Sequence, residues 1–261
     1  MRILISNDDG VHALGLKILF NEIKKIADCW VVAPLQEKST TGHSLTIHKP
    51  LRMIELEKNV YGVSGSPADC INLGLKQVLK KKPDFVISGI NRGANLGQDI
   101  YYSGTVSAAR EACIHNVPSI AVSLAVDFSK SKPEAQYNYR AAARMTVKLI
   151  RSLKAGDIPE HSLLNLNVPD LPFAKIKGLR PARMGFRHYD GDVVRRLDHR
   201  GKFYYWLGGH YRGFRKDENT DCHIVDQGFA SLTPLKLDAT DLSLLARLSH
   251  KKTSARAKAS R

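Results

Sequence analysis

The first ten residues, Met1-Arg2-Ile3-Leu4-Ile5-Ser6-Asn7-Asp8-Asp9-Gly10, constrain the fold more than any other stretch. Ile3 to Ile5 is a short apolar run, the pattern of a strand buried on both faces, as in a parallel sheet. It leads into two adjacent carboxylates, Asp8 and Asp9, after which Gly10 turns the chain. In open α/β sheets ligands bind beyond the carboxyl ends of the strands, which is where this pair falls. Two like charges so close repel unless something positive lies between them, and a bound cation is the usual solution. Asn, Asp and Gly are also ordinary turn residues, so the pair gains weight only from the company of other loops.

After Gly10, apolar residues recur at Leu14, Ile18, Leu19, Phe20, Ile23 and Ile26 with lysines between them, which predicts an amphipathic helix. Cys29 to Ala33 is a second buried strand, stopped by Pro34, so the chain opens with a right-handed βαβ unit. Leu45–His48, Leu51–Leu56 and Val60–Val63 read as extended, antiparallel additions to the sheet. Ser66-Pro67-Ala68-Asp69 combines a capping serine, a proline at the first helical position and an early acid, and predicts a helix to about Leu79. Phe85–Ser88, Ser119–Leu124 and Leu163–Val168 read as further core strands. Helices are expected over about Gly104–His115 and Glu134–Leu153.

This alternation makes the fold class α/β: a Rossmann-like three-layer sandwich with a mostly parallel sheet. Beyond Pro172 glycines, arginines and aromatics dominate, including Phe203-Tyr204-Tyr205-Trp206. The pattern reads as a protruding β-hairpin extension, followed by a returning strand over Ala230–Leu235 and a C-terminal helix over Leu242–Leu248. The expected organisation is a catalytic core over 1–172, an extension over 173–250 that serves oligomerisation, and a basic, disordered tail over 251–261.

The chain has 261 residues and a net charge of +15, which makes nucleic acid the first partner to weigh. Five of those charges sit in the acid-free tail, at Lys251, Lys252, Arg256, Lys258 and Arg261, leaving +10 for the body. That excess attracts anionic small molecules as well as RNA. Aromatic hairpins are at least as often subunit interfaces as stacking surfaces, so nucleic acid is the less favoured partner. No apolar run is long enough to span a bilayer, so no membrane partner is expected. The four cysteines show no paired metal spacing and read as free thiols in a reducing cytoplasm.

Three loops that follow parallel strands should converge at one sheet edge. The first offers Asn7, Asp8 and Asp9. The second offers Ser39, Thr40, Thr41, Gly42, His43 and Ser44. The third runs from Gly89 through Asn91 and Asn95 to Ser103-Gly104-Thr105 at a helix start. Carboxylate, hydroxyl and amide oxygens without thiolate suit a hard cation such as Mg²⁺ or Mn²⁺. Backbone N–H groups at a helix start suit a phosphate. His43 is the obvious imidazole, but more often such a residue is a loop hydrogen-bonder than a general acid.

Together, SNDDG at Ser6–Gly10, STTGHSLT at Ser39–Thr46, GSPADC at Gly65–Cys70, SGINRGANLGQDIYYSGTVSAAREA at Ser88–Ala112, LNLNVP at Leu164–Pro169 and SLTPL at Ser231–Leu235 resemble the SurE family of stationary-phase survival proteins. The resemblance extends from Met1 to about Leu248, and the long third-loop motif is the most specific. It implies a cytoplasmic, metal-dependent phosphoric monoester hydrolase acting on nucleoside 5′-monophosphates, and also on 3′-monophosphates and short polyphosphate.

Carried over by position, the metal ligands are Asp8, Asp9, Ser39 and Asn91, holding one divalent cation per subunit. Asn7, Asn95, Ser103, Gly104 and Thr105 are implied to bind the phosphate, with Asp8, Asp9, Asn95 and Ser103 catalytic. A homo-oligomer, dimer or tetramer, is implied through a swapped hairpin and the C-terminal segment. Thr40-Thr41 replaces a commoner Gly- or Ala-containing pair, and the tail after His250 has no counterpart in the family pattern.

The favoured mechanism is attack by a metal-activated water. An aspartyl nucleophile is the alternative, although such enzymes usually show Asp-x-Asp rather than adjacent acids. A receiver-like signalling domain would want an aspartate where this chain has Ser88. A basic RNA-binding protein without catalysis explains the charge and the aromatics but leaves the three-loop constellation without a purpose.

Overall fold

The computed structural model describes residues 1–130, 132–154 and 156–249. The basic tail from Lys251 lies outside the described residues. The opening strand, β1 (Arg2–Ser6), is followed by helix α1 (Leu14–Ile23) and strand β2 (Asp28–Pro34). Strands β3 (Met53–Glu57) and β4 (Val60–Val63) precede α2 (Pro67–Leu73). Then come β5 (Phe85–Arg92), α3 (Gly104–Ile114), β6 (Ser119–Ala125), α4 (Tyr139–Ser152) and β7 (Ser162–Pro169).

Ile3, Leu4 and Ile5 are fully buried because both faces of β1 are covered. Successive side chains of a strand point to opposite faces. Ile3 and Ile5 pack with Leu16 and Leu19 of α1 and Ala142 of α4. Leu4 packs with Ile71 of α2 and Ala108 of α3. Those two layers of helices enclose a nine-stranded sheet, in which β4, β2, β1, β5, β6 and β7 run parallel in that order.

The segment between β2 and α2 differs from the sequence expectation. Leu45–His48 forms no strand: Leu45 and Ile47 are exposed, and the Thr46 N–H donates to Asp69 Oδ1 at 2.9 Å instead of to a ladder. Only β3 is antiparallel there, paired to β4 through a tight turn in which Asn59 takes φ +65°. β4 itself runs parallel to β2, because the intervening chain is long enough to cross back. The helix expected to reach Leu79 is α-helical only to Leu73 and ends in one wider π turn over Gly74–Val78. The expected start at Glu134 belongs to a short 3₁₀ turn. Asn138 is held by Asp170 through both its backbone and side-chain nitrogens, and α4 begins after it.

Beyond β7 the chain forms β8 (Leu179–Pro181), β9 (Arg187–Tyr189), β10 (Val193–Leu197), β11 (Phe203–Leu207), β12 (Tyr211–Phe214), α5 (Asp221–Asp226) and β13 (Ala230–Lys236). β13 returns antiparallel to β7, and β8 pairs with β13 at the sheet edge, so part of the extension joins the core. β10 and β11 form a hairpin in which every strand residue is exposed, and β9 and β12 pair at its root. Residues 242–249 are helical, with Leu242, Leu244, Leu245 and Leu248 exposed. All four cysteines are free and buried.

The first turn of α1 presses on the end of β5. A Cβ at Gly15 would lie 2.2 Å from the Ile90 carbonyl oxygen and 3.0 Å from Tyr139 Cε1. Gly15→Ala should therefore force α1 away from the sheet and lower stability by about 1–3 kcal/mol. Urea denaturation followed by circular dichroism measures this. A wild-type midpoint would mean that α1 shifts freely.

Candidate active site

Asp8 lies just beyond the last residue of β1 and is buried. The start of α3 is packed directly against it: a Cβ at Gly104 would stand 2.7 Å from Asp8 Cβ and 2.8 Å from Asp8 Oδ2. Only glycine lets the helix approach so closely. Thr105 Oγ1 donates a hydrogen bond to Asp8 Oδ1. Burial pushes the Asp8 carboxyl above its ordinary range, while the Thr105 side-chain and backbone donors pull in the opposite direction without cancelling it.

Asp9 has less compensation. Its Oδ2 accepts the Arg92 N–H at 3.1 Å. Burial first, and then the charge of Asp8, push its carboxyl up to about 7, and Glu37 adds further repulsion. The Arg92 charge opposes these effects without cancelling them, so the site is partly desolvated and negative.

The other loops meet this pair. The Lys38 N–H donates to the Asp8 carbonyl at 2.7 Å, which brings the second loop to the end of β1. Ser39 follows, exposed, with its hydroxyl donating to Glu37 Oε1 at 2.6 Å. Asn91 lies past a bulge in β5, where its Nδ2 donates to the Gly93 carbonyl at 2.9 Å and Oδ1 remains as an acceptor. Asn7 closes the first turn, its Nδ2 donating to the Gly10 carbonyl at 2.9 Å. Its Oδ1 is buried with no protein partner. An acceptor of that kind suits a donor or a cation better than a phosphoryl oxygen.

Asn95 is the most firmly fixed residue of the third loop. Its backbone N–H donates to Asn167 Oδ1 at 2.8 Å, and its carbonyl accepts from Asn165 Nδ2 at 2.8 Å and Asn167 Nδ2 at 3.0 Å. Its own Nδ2 donates to Ser123 Oγ at 2.7 Å. Ser103 is the N-cap of α3, its Oγ accepting the Val106 N–H at 3.0 Å. Ser103 and Gly104 thus have structural duties at the helix start, whatever ligand they also meet.

Several contributors were not apparent as site residues. Asn165 and Asn167 alternate along β7, so both reach the same face and hold Asn95. The signal was the spacing of two asparagines inside an otherwise apolar strand. Glu37 approaches the acidic pair from the second loop. Glu111, two turns into α3, takes His43 Nε2 at 2.7 Å, so His43 is a loop hydrogen-bonder in this structure. Among the described residues no three of His, Cys, Asp and Glu come together as a metal cluster. A cation at Asp8 and Asp9 would need neutral oxygens to complete its shell.

The raised Asp9 carboxyl has a consequence for stability. In the unfolded chain an aspartate titrates near ~3.9, whereas here it does so at about 7. The folded protein keeps a proton that the unfolded chain releases, so its contribution is full below about pH 4 and is lost as pH rises through 7. In chelator, Asp9→Asn should melt with the wild type near the low end of that window and above it near pH 8. Melting curves across pH measure this, and parallel curves throughout would mean the carboxylate is not penalised.

The profile of the family described as "Survival protein SurE" matches residues 3–191. A protein named 5′-nucleotidase SurE from Geobacter sulfurreducens is 47% identical over 248 residues, covering 95% of this chain and 92% of its own length. One of the same name from Syntrophotalea carbinolica is 46% identical over 242 residues, covering 92% and 93%. The crystal structure of the SurE protein from Aquifex aeolicus matches with a TM-score of 0.83 at 38% identity, over 97% of this chain and 100% of that one. Similarity that runs through the sheet, the three loops and the extension leaves one conclusion: the chain belongs to the SurE family.

Proposed function

We propose that this protein is a divalent-metal-dependent nucleotidase that hydrolyses nucleoside 5′-monophosphates to nucleoside and phosphate. The observation that carries the reading is the adjacent carboxylate pair at the end of β1: Asp8, buried and set against the start of α3, and half-buried Asp9 beside it, both pushed above the carboxylate range. The names of the relatives agree with it. They give no support to the alternative of a basic RNA-binding protein without catalysis. Activity on 3′-monophosphates and short polyphosphate belongs to the same proposal.

Asp8 and Asp9, with Ser39 Oγ and Asn91 Oδ1, would hold one cation. The donors are all oxygen, which fits Mg²⁺ or Mn²⁺. When bound, such a cation polarises the phosphoryl group and lowers the pKa of a water. The chain's own residues do the rest. Asn95 keeps one amide hydrogen beyond its bond to Ser123 and can donate it to a phosphoryl oxygen. Ser103-Gly104-Thr105 direct the positive end of α3 toward the same place. Asp8 is engaged by Thr105 and backed by Gly104, an arrangement that favours a fixed ligand over an attacking nucleophile.

A homo-oligomer and a cytoplasmic location complete the proposal. No helix among the described residues is long and apolar enough to cross a membrane. The exposed aromatics of β11 and the leucines of 242–249 are the surfaces a second copy would cover.

Two measurements test these statements. Phosphate release from nucleoside 5′-monophosphates should stop in chelator and return with Mg²⁺ or Mn²⁺. Asp8→Asn should lose at least about a hundredfold in turnover while keeping its circular dichroism spectrum. Near-native turnover of this variant would remove Asp8 from the site. Separately, Val193–Leu207 can be excised and Asp192 joined to Gly208, since the Gly208 N–H already donates to the Asp192 carbonyl at 2.9 Å. The wild type should show an oligomeric mass by light scattering and the shortened chain a smaller one. Equal masses would dismiss the hairpin as an interface.

A further inference from the structure

The second loop carries Ser39 but has no helix or strand over residues 35–50. Its backbone is held at Lys38, on the Asp8 carbonyl, and at Gly42, whose N–H donates to the Tyr102 carbonyl at 3.3 Å; farther on, the Ser44 carbonyl accepts from Ser66 Oγ at 2.6 Å and the Thr46 N–H donates to Asp69 Oδ1. Between those points Ser39, Thr40 and Thr41 are exposed and bond within the loop, to Glu37, Ser39 and Lys38 respectively. The His43 side chain reaches past the loop. Its Nε2 stands 2.7 Å from Glu111 Oε2.

Glu111 is only 5% exposed and projects from α3, six residues after Thr105. Its other oxygen accepts from Asn72 Nδ2 of α2 at 2.6 Å and lies 3.4 Å from His115 Nε2. His115 Nε2 is also 3.0 Å from Asn72 Oδ1. A carboxylate buried among that many partners is a fixed point. Burial opposes its ionisation, but the hydrogen bonds from His43 and Asn72 outweigh burial and hold it below the ordinary carboxylate range.

We propose that His43 and Glu111 are positioning residues that clamp the Ser39 loop to α3, the helix whose first turn meets Asp8. The clamp refers a loop hydroxyl and a strand-end carboxylate to one rigid element. It rests on the reading of Asp8, Asp9, Ser39 and Asn91 as cation ligands. A serine hydroxyl is a neutral ligand on an exposed loop, so its contribution depends on being held in place beforehand. Partners that orient metal ligands typically change metal affinity by ~10–100-fold.

The test is made at His43, because removing Glu111 would leave Asn72 and His115, both half-buried, without their shared partner. Mn²⁺ binding is measured by titration calorimetry on the whole chain, wild type and variants, with melting temperature alongside. His43→Ala should weaken Mn²⁺ binding about tenfold and lower the melting temperature only modestly, since Glu111 keeps Asn72 and His115 as partners. His43→Gln, whose amide nitrogen reaches the place of Nε2, should recover most of the affinity. Ser39→Ala with His43→Ala should bind no more weakly than Ser39→Ala alone, since the clamp acts through that hydroxyl. Wild-type affinity in His43→Ala, or full additivity in the double variant, would overturn the clamp while leaving the cation site standing. A wild type that binds no Mn²⁺, or an Asp8→Asn variant that binds it equally well, would overturn the cation reading and the clamp with it.

Discussion

The rest of the molecule is arranged around one electrostatic problem: two adjacent carboxylates at the end of a buried strand. Burying an ionised group without compensation is strongly unfavourable. For Asp8 the compensation is built in. The positive end of α3 and the Thr105 hydroxyl face it, and Gly104 lets the helix come that close. For Asp9 the fold supplies one backbone N–H and the charge of Arg92, which together do not offset burial and the repulsion of Asp8 and Glu37. The protein thus neutralises part of the charge and leaves a remainder for something else to balance.

Beneath the third loop lies a polar patch in an otherwise apolar sheet. Ser123 of β6 and Asn165 and Asn167 of β7 hold Asn95 through its backbone and its side chain. Inside a low-dielectric interior such bonds strengthen one another, and each member left unpaired is costly. The loop from Gly93 to Ser103 has one short 3₁₀ turn, Gly97–Tyr101, as its own regular structure, and it is bolted to strands. Asp221 of α5 continues the bracing by accepting the Gly97 N–H at 2.9 Å and the Gly185 N–H at 2.8 Å.

Much of this was legible in the chain, and the reasons are specific. β1, α1, β2, α3 and β7 announce themselves because burial on both faces, an amphipathic period, a capping serine or a stopping proline leaves an unmistakable local pattern. The acidic pair and the third loop were visible because they depart from that pattern. Leu45–His48 misled because its alternation suits a strand, yet whether a strand forms depends on a partner edge, which is a matter of topology. The direction of β4 is likewise set by how far the chain travels before it pairs. Glu37, Glu111 and the asparagines of β7 escaped for the same reason. Their importance lies in contacts across 28 to 72 residues, such as those of Asn95 with Ser123 and Asn167, and no local window contains both partners.

The return of the chain end to the sheet bears on how the site comes into being. β13 supplies the neighbour of β7, pairing Ser231 with Asn167 and Thr233 with Asn165. The brace on Gly97 comes from Asp221, 124 residues later in the chain. During synthesis the βαβ opening can fold as it emerges, since its contacts are local, whereas long-range pairings form late. The third loop can therefore gain its hold on Asn95 from Ser123, Asn165 and Asn167 first, and its hold on Gly97 only when Asp221 has been made. A nascent chain would thus have its acidic pair in place first, Asn95 second and the Gly97 turn last, so the loop beside the pair is tightened in two stages.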